Sequence, residues 1–145
     1  AVQARAGHSF SFWQPAGQDR ELLGPAEAAL EEIGLADRAQ VLAGNLAHGE
    51  QRQLEIAMAL ATRPKLLLLD EPMAGMGPED GARMTQYLSG LKGKYTMLLI
   101  EHDMDAVFTL ADSITVLVYG RAIASGRPEE IRANEEVRQA YLGED

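Results

Sequence analysis

Acidic side chains directly follow a run of four leucines near the middle of the chain. The run is Leu66 to Leu69, and Asp70, Glu71 and Pro72 come next. A carboxylate at the end of a buried strand can hold Mg²⁺ through water, and a second carboxylate can orient or deprotonate an attacking water. The pattern therefore indicates phosphoryl transfer. A strand that simply ends in a solvated acidic turn would show the same residues, so this motif alone leaves both interpretations open.

A histidine follows a second apolar run in the same way. Met97 to Ile100 leads into Glu101, His102 and Asp103. A histidine in this place can hydrogen-bond a terminal phosphate or the attacking water, or it can cap the helix that comes next. Because chemistry in parallel sheets gathers at the carboxyl ends of the strands, we expect both acidic strand ends to contribute to one site.

A third segment places a glycine at the start of a helix. It runs from Leu46 to Arg52 and includes Gly49. The free N–H groups and the dipole at a helix start attract anions, and a glycine lets a phosphate approach closely. An ordinary polar helix start is the alternative. This segment begins 24 positions before Asp70, and His102 lies 32 positions after Asp70.

The elements that must position these residues alternate between helix and strand. The apolar periodicity predicts the following order: helix Pro25 to Ile33 with a stop at Gly34, helix Glu50 to Ala61, strand Leu66 to Leu69, a helix from Pro78, strand Tyr95 to Ile100, helix Met104 to Ala111, strand Ile114 to Tyr119, a turn at Gly120-Arg121, a short strand Ala122 to Ser125, and helices Pro128 to Ala133 and Asn134 to Leu142. Residues 1–24 are predicted as loop or a short edge segment. Alternation of this kind predicts an α/β fold with a mainly parallel sheet. The uninterrupted apolar strands predict that both faces of that sheet are covered.

Composition narrows the classes of function. The 145 residues suit about one domain. With 13 basic and 22 acidic residues the net charge is −9, which disfavours binding to nucleic acid or directly to an anionic membrane surface. The apolar runs are far shorter than the roughly 20 residues of a membrane span, so we expect no direct membrane insertion. The absence of cysteine excludes disulfides, thiolate metal sites and cysteine nucleophiles.

Taken together, the three segments resemble the ATPase subunits of ABC transporters. The similarity extends over nearly everything from Leu22 to the end. It implies a helical subdomain followed by the second half of a P-loop NTPase (RecA-like) core. It also implies ATP and Mg²⁺ as cofactors, a second ATP-binding subunit and transmembrane permease subunits as partners, and a cytoplasmic location, peripheral on the inner face of the cell membrane.

The resemblance also implies roles for single residues at the strand ends. Lys65 to Glu71 is similar to the family's Walker B strand, with Asp70 serving Mg²⁺ through water and Glu71 as the catalytic carboxylate. His102 is similar to the family's switch histidine.

Two loops resemble parts of the family that act across a dimer. The signature loop, which binds the γ-phosphate held by the opposite subunit of a head-to-tail dimer, corresponds to Ala47, His48, Gly49 and Glu50. The D-loop, which crosses the dimer interface, corresponds to Met73 to Gly77 and so includes Gly75, Met76 and Gly77. Ala47 stands where the family usually has serine, and the loss of one neutral hydrogen bond would cost about 0.5–1.5 kcal/mol. Gly77 stands in place of the D-loop aspartate, which puts the coupling role of that loop in question.

The subfamily is indicated by four stretches. Residues 49–57, 99–104, 128–131 and 137–143 are similar to importers of branched-chain amino acids, most clearly in the closing Ala140 to Gly143. Lipopolysaccharide-export ATPases share a similar ending and are the near alternative.

The motif G-x-x-x-x-G-K-[ST] does not occur in the sequence. Without that cradle for the β- and γ-phosphates, we expect a C-terminal fragment that is inactive by itself. The expected division is a helical subdomain over 1–62, a partial nucleotide-binding core over 63–127 and a helical tail over 128–145. A non-catalytic interaction module derived from the ATPase fold is the alternative. A chromosome-maintenance ATPase is disfavoured, because the chain lacks sustained heptads and a basic balance.

An aromatic cluster near the beginning has two interpretations. Phe10, Phe12 and Trp13 either fill a small satellite core with Leu22 and Leu23, which we favour, or form a contact surface for the permease subunits.

Overall fold

The computed structural model describes residues 1–2 and 19–142. The elements, in chain order, are α1 (Arg20–Glu32), α2 (His48–Leu60), β1 (Leu66–Asp70), α3 (Pro78–Leu91), β2 (Thr96–Ile100), α4 (Met104–Leu110), β3 (Ile114–Val118), β4 (Arg121–Gly126), α5 (Pro128–Arg132) and α6 (Glu135–Val137). Short 3₁₀ turns span Ala36–Arg38 and Ala43–Asn45, and a π-helical turn spans Arg138–Leu142. The interpretations given to Phe10, Phe12 and Trp13 concern residues outside those described.

Helix α1 begins at Arg20, so the prediction that Pro25 opens it is wrong. The Asp19 side chain accepts a hydrogen bond from the Glu21 N–H at 3.0 Å and caps the helix start. Leu22 is buried in the first turn, and Pro25 lies inside the helix. Aspartate is a strong N-cap residue, and here this local signal outweighs the proline. The predicted stop at Gly34 is confirmed, since Gly34 has a φ of +71°.

The predicted parallel sheet is confirmed for two strands. β1 and β2 pair in parallel, from Leu66 opposite Thr96 to Asp70 opposite Ile100. Their carboxyl ends therefore lie side by side, which is the arrangement that the strand-end motifs require.

β3 does not join that sheet within the described part of the chain. It pairs antiparallel with β4 in a separate hairpin. The turn of this hairpin is Tyr119-Gly120 and not Gly120-Arg121 as predicted. Both turn residues have positive φ, 49° and 75°, as a two-residue type I′ turn demands.

Two clusters of buried side chains hold these elements together. The larger one joins α1, α2, α3 and α4 to the inner face of the β1–β2 sheet, through residues such as Ile56, Leu67 and Leu88. The smaller one packs the β3–β4 hairpin against the tail through Val116, Ile131 and Val137. The strand-end residues thus rest on a helix-backed sheet.

The prediction that both sheet faces are covered is wrong for the described residues. Leu67 is 4% exposed, but its neighbour Leu68 is 66% exposed. Leu66, Leu98 and Ile100 are also exposed. Helices in the described part of the chain pack against one face only, so alternate side chains of each strand remain open. An apolar run predicts a hydrophobic strand, but it does not predict which face of the sheet is packed against other elements of the same chain.

Candidate functional site at the strand ends and a helix start

The structure brings Glu71 and His102 together at the carboxyl ends of β1 and β2. Glu71 Oε1 lies 3.5 Å from His102 Nδ1. The Glu71 N–H donates to the carbonyl oxygen of Ile100 at 2.8 Å, which fixes the start of one loop to the end of the neighbouring strand. Both side chains are largely exposed. The juxtaposition that the two acidic strand ends predicted is therefore present.

Glu71 has an unusual backbone conformation. Its φ is +44°, a region that a non-glycine residue seldom occupies. Its carbonyl oxygen accepts a hydrogen bond from the Ala74 N–H at 3.0 Å, which closes a tight turn directly after the strand. Such conformations persist where the surrounding contacts hold them, and they concentrate at functional sites. The turn fixes where the Glu71 carboxylate leaves the sheet.

Glu101 is a residue to which the sequence analysis gave no role. Its side chain is 1% exposed although it follows β2 directly. Glu101 Oε1 accepts from the Met73 N–H at 3.0 Å, and Oε2 accepts from the N–H groups of His102 and Asp103 at 2.9 and 3.3 Å. Three backbone donors therefore satisfy a carboxylate that lies out of solvent. The sequence did contain one sign of this role: an acidic residue stands directly between an apolar strand and the histidine.

Asp70 ends β1 with an exposed carboxylate next to Glu71. Among residues 1–2 and 19–142, no three His, Asp or Glu side chains cluster closely enough to hold a metal ion. This donor set fits Mg²⁺ because that ion keeps several waters and commonly takes only one or two protein carboxylates together with phosphate oxygens. The strand-end carboxylates would thus supply only part of the ligands of the ion, and water and phosphate oxygens would supply the others.

At the start of α2, Glu50 is held by local partners. Its carboxylate accepts from the Ala47 N–H at 2.9 Å and from Arg38 Nε at 2.9 Å. The bond from Ala47, and after it the bond from Arg38, hold the pKa of Glu50 below its usual range. Glu50 thus serves the helix start as a cap, as a glutamate at the third helical position commonly does. The N–H groups of the first turn have no intrahelical acceptors.

Gly49 is buried against α3. A Cβ atom at this position would lie 3.2 Å from Asp80 Cγ. The close approach that the sequence analysis assigned to a phosphate is thus also a packing requirement within the chain. Packing against Asp80 therefore explains a glycine at position 49, in addition to the proposed approach of a phosphate.

The predicted D-loop touches the helix start. Gly75 has a φ of +75°, and a Cβ there would be 3.4 Å from His48 Nε2. Gly77 is the N-cap of α3, and the partly buried Met76 packs against the larger core. No hydrogen bond or ion pair joins residues 47–50 to Asp70, Glu71 or His102 within the described part of the chain. The structure therefore gathers the strand ends into one site and leaves the helix start as a separate surface.

Two family models match the sequence. The model described as "ABC transporter" matches residues 5–74, and the one described as "Branched-chain amino acid ATP-binding cassette transporter" matches residues 123–145. The first covers the helix start and the β1 motif, and the second covers the tail. Within the described residues, none of the helices is both long and apolar enough to cross a membrane.

Among curated proteins, the chain is similar to the high-affinity branched-chain amino acid transport ATP-binding proteins LivG of Salmonella typhimurium and BraF of Pseudomonas aeruginosa. Identity to LivG is 46% over 86% of this chain and 49% of LivG. Identity to BraF is 44% over 87% of this chain and 50% of BraF. The lipopolysaccharide export ATP-binding protein LptB of Haemophilus influenzae is 32% identical over 82% of this chain and 50% of LptB. The chain thus spans about half the length of the curated relatives it matches.

Among solved structures, the chain resembles an ATP-binding cassette of an ABC transporter in its ADP conformation. The TM-score is 0.76 at 31% identity, over 96% of this chain and 56% of the other. The predicted α/β fold with a P-loop NTPase relationship is thereby confirmed.

Proposed function

This chain belongs to the ATP-binding proteins of the ABC transporter family, and we propose that it contributes to ATP hydrolysis that powers import of branched-chain amino acids. The observation that carries the proposal is the pairing of Glu71 with His102 at the ends of two parallel strands. An interaction module that had lost its chemistry would have no need for an exposed acid and histidine 3.5 Å apart on a strained turn.

The strand ends supply the groups that hydrolysis needs. Glu71 orients the attacking water and accepts its proton, a task for a carboxylate within reach of solvent and substrate. His102 has Nδ1 beside Glu71, which leaves Nε2 as a hydrogen-bond partner for the γ-phosphate or the attacking water. Asp70 would hold Mg²⁺ through water, and that ion would neutralise charge on the β- and γ-phosphates.

The helix start serves a second copy. Residues Ala47, His48, Gly49 and Glu50 lie apart from the strand ends of their own chain, which supports binding of the γ-phosphate held by the opposite subunit of a head-to-tail dimer. The free N–H groups of the first turn and the helix dipole are the anion-binding elements. Gly75 of the predicted D-loop lies next to His48, so this loop borders the surface that the helix start forms. This contact supports a place for the D-loop at the dimer interface.

The transported substrate is assigned by similarity. LivG and BraF are 46% and 44% identical to this chain, and the lipopolysaccharide-export relative is 32% identical. The tail match at residues 123–145 points the same way. On this proposal the protein works on the cytoplasmic face of the membrane, bound there by permease subunits.

The test is ATP turnover in the longest polypeptide that the native gene encodes, reconstituted with its permease subunits. Glu71→Gln removes the proton acceptor and keeps the side-chain volume, so the expected loss in kcat is at least about 100-fold. Glu79→Gln, an exposed acid at the start of α3, is the matched control and should retain activity. The 145-residue chain by itself should show no turnover. Sustained hydrolysis by Glu71→Gln would overturn the assignment of the catalytic carboxylate.

A further inference from the structure

The loop after β1 and the loop after β2 share one buried anchor. Glu101 is the first residue after β2, yet it reaches across to the N–H of Met73, two residues beyond Glu71. Its other oxygen accepts from His102, the partner of Glu71, and from Asp103. One carboxylate therefore bonds directly to both loops that carry the paired groups.

From this geometry we infer that Glu101 is a positioning residue for hydrolysis: its carboxylate ties the two loops together and thereby sets the distance between Glu71 and His102. The inference rests on the proposed function for its effect on catalysis. The bonds themselves can be tested without it.

The contrast in exposure between these side chains supports the inference. Glu71 and His102 are 52% and 70% exposed, and Glu101 is 1% exposed. Exposed side chains keep a fixed separation only if their backbones are held. The Glu71 backbone is held by Ile100 on one side and by the turn to Ala74 on the other. Glu101 adds the only side-chain bond, among the described residues, that joins the loop after β1 to the loop after β2 at the backbone.

The carboxylate cannot be replaced by its own amide. All three hydrogen bonds that Glu101 accepts come from backbone N–H donors, and its Oε2 also lies 3.6 Å from His102 Nδ1. In Glu101→Gln one oxygen becomes an NH₂ group, which would face a donor in one of the two loops. The volume stays the same, so this variant removes an acceptor without opening a cavity. Glu101→Asp keeps both acceptors and the charge but shortens the reach by one methylene. It should retain the bonds to its neighbours His102 and Asp103 and lose the bond to Met73.

The experiment uses the longest polypeptide of the native gene, labelled with ¹⁵N at methionine and histidine amides. Glu101→Gln and Glu101→Asp are compared with wild type and with Asp105→Asn, an exposed acid in the first turn of α4. We expect both Glu101 variants to shift the Met73 amide resonance. Their kcat should fall by about tenfold or more, and KM for ATP should stay within about twofold, because ordering of the reacting groups is lost and not substrate binding. Asp105→Asn should match wild type.

Each outcome decides a separate question. An unmoved Met73 amide in both variants would show that the bond between loops is absent in solution. A shifted amide with unchanged kcat would reduce Glu101 to a structural residue, and full activity in Glu101→Asp would do the same. If Glu101→Gln fails to fold, Glu101→Asp still answers both questions. If wild type shows no ATP turnover, or if its turnover survives in Glu71→Gln, the proposed function fails. The Met73 amide result does not change that conclusion.

Discussion

The strand ends and the helix start of α2 are built in opposite ways. At the strand ends, residues far apart in sequence meet: Glu71 with His102, and Met73 with Glu101. At the helix start the polar contacts of Glu50 lie with Ala47 and Arg38 on the same stretch of chain. The first region is assembled by the fold, and the second is assembled largely by local sequence.

The two regions differ in whether their polar groups meet one another within this chain. The strand-end groups already face one another within this chain, so their pairing needs no second copy. The helix start has first-turn N–H groups without intrahelical acceptors and touches Gly75 through His48, but among the described residues it makes no hydrogen bond or ion pair with Asp70, Glu71 or His102. On the proposed function, the helix start is completed by the γ-phosphate that the opposite subunit holds. Variants in the two regions should therefore fail in distinguishable ways.

The largest effect is expected at the strand ends. His102→Ala removes the imidazole beside Glu71, and kcat should fall by about 100-fold, as is typical for loss of a side chain that hydrogen-bonds the reacting groups. The melting temperature should change little because this side chain is largely exposed. Single-turnover ATP hydrolysis by the full native polypeptide measures the effect. A variant as active as wild type would show that the contact with Glu71 has no catalytic use.

A smaller loss is expected from His48→Asp at the helix start. Aspartate in the first turn suits the helix dipole, so stability should be kept or raised, while the added negative charge repels a phosphate. Activity should fall by about tenfold, a size consistent with one unfavourable contact of about 1.4 kcal/mol. His48→Gln, which adds no charge, is the matched control.

A mixture of two variant subunits tests whether the two regions belong to one site. If each site combines the strand ends of one copy with the helix start of another, an equal mixture of His48→Asp and Glu71→Gln subunits contains dimers with one intact site. Turnover should then recover to about a quarter of the wild-type value, since half the dimers are mixed and each has one of two sites intact. No recovery on mixing would contradict a shared site.

The sequence was sufficient to predict the strand ends and much of the element order. The runs ending at Asp70 and Ile100 mark two strands whose ends must be neighbours if they are parallel, and β1 and β2 pair that way. Periodicity also located α2 and α3, because each presents one apolar stripe to the core. These features depend on short stretches of chain and on the geometry of one parallel pair.

Features that depend on the surroundings of a residue were not predictable. Leu67 and Leu68 are the same residue type in one run, yet one is buried and the other exposed, because the helices that the structure describes pack on one sheet face only. The role of Glu101 depends on Met73, a residue 28 positions away. The Gly49 contact depends on Asp80 from another helix. In each case the exposure or role of the residue depends on a partner that is distant in sequence, and a local sequence pattern cannot identify that partner.

The smallest effect is expected from the acids that cap helices. Glu50 at α2 and Glu130 at α5 each accept from a backbone N–H and an arginine, at 2.9 and 2.8 Å for the N–H bonds, and both have a pKa below the usual range. The backbone bond is the main cause in each, followed by the arginine. A carboxyl whose pKa is lowered by folding contributes stability above its unfolded pKa of about 4.3, and that contribution is lost as the pH falls through the folded value.

Glu50→Gln should therefore lower the melting temperature at pH 7, and the difference from wild type should shrink as the pH falls below about 4.3 and through the lowered folded pKa of Glu50. Glu130→Gln should show the same pH dependence with a smaller change at pH 7. Among the described residues, Glu130 bonds to Arg127 alone, three residues away, whereas Glu50 also bonds to Arg38, twelve residues away. Thermal melts across this pH range measure both variants, and Glu129→Gln on α5 is the control. A Glu50→Gln difference that did not shrink as the pH fell below about 4.3 would mean that packing, and not the charge of Glu50, accounts for its effect on the helix start.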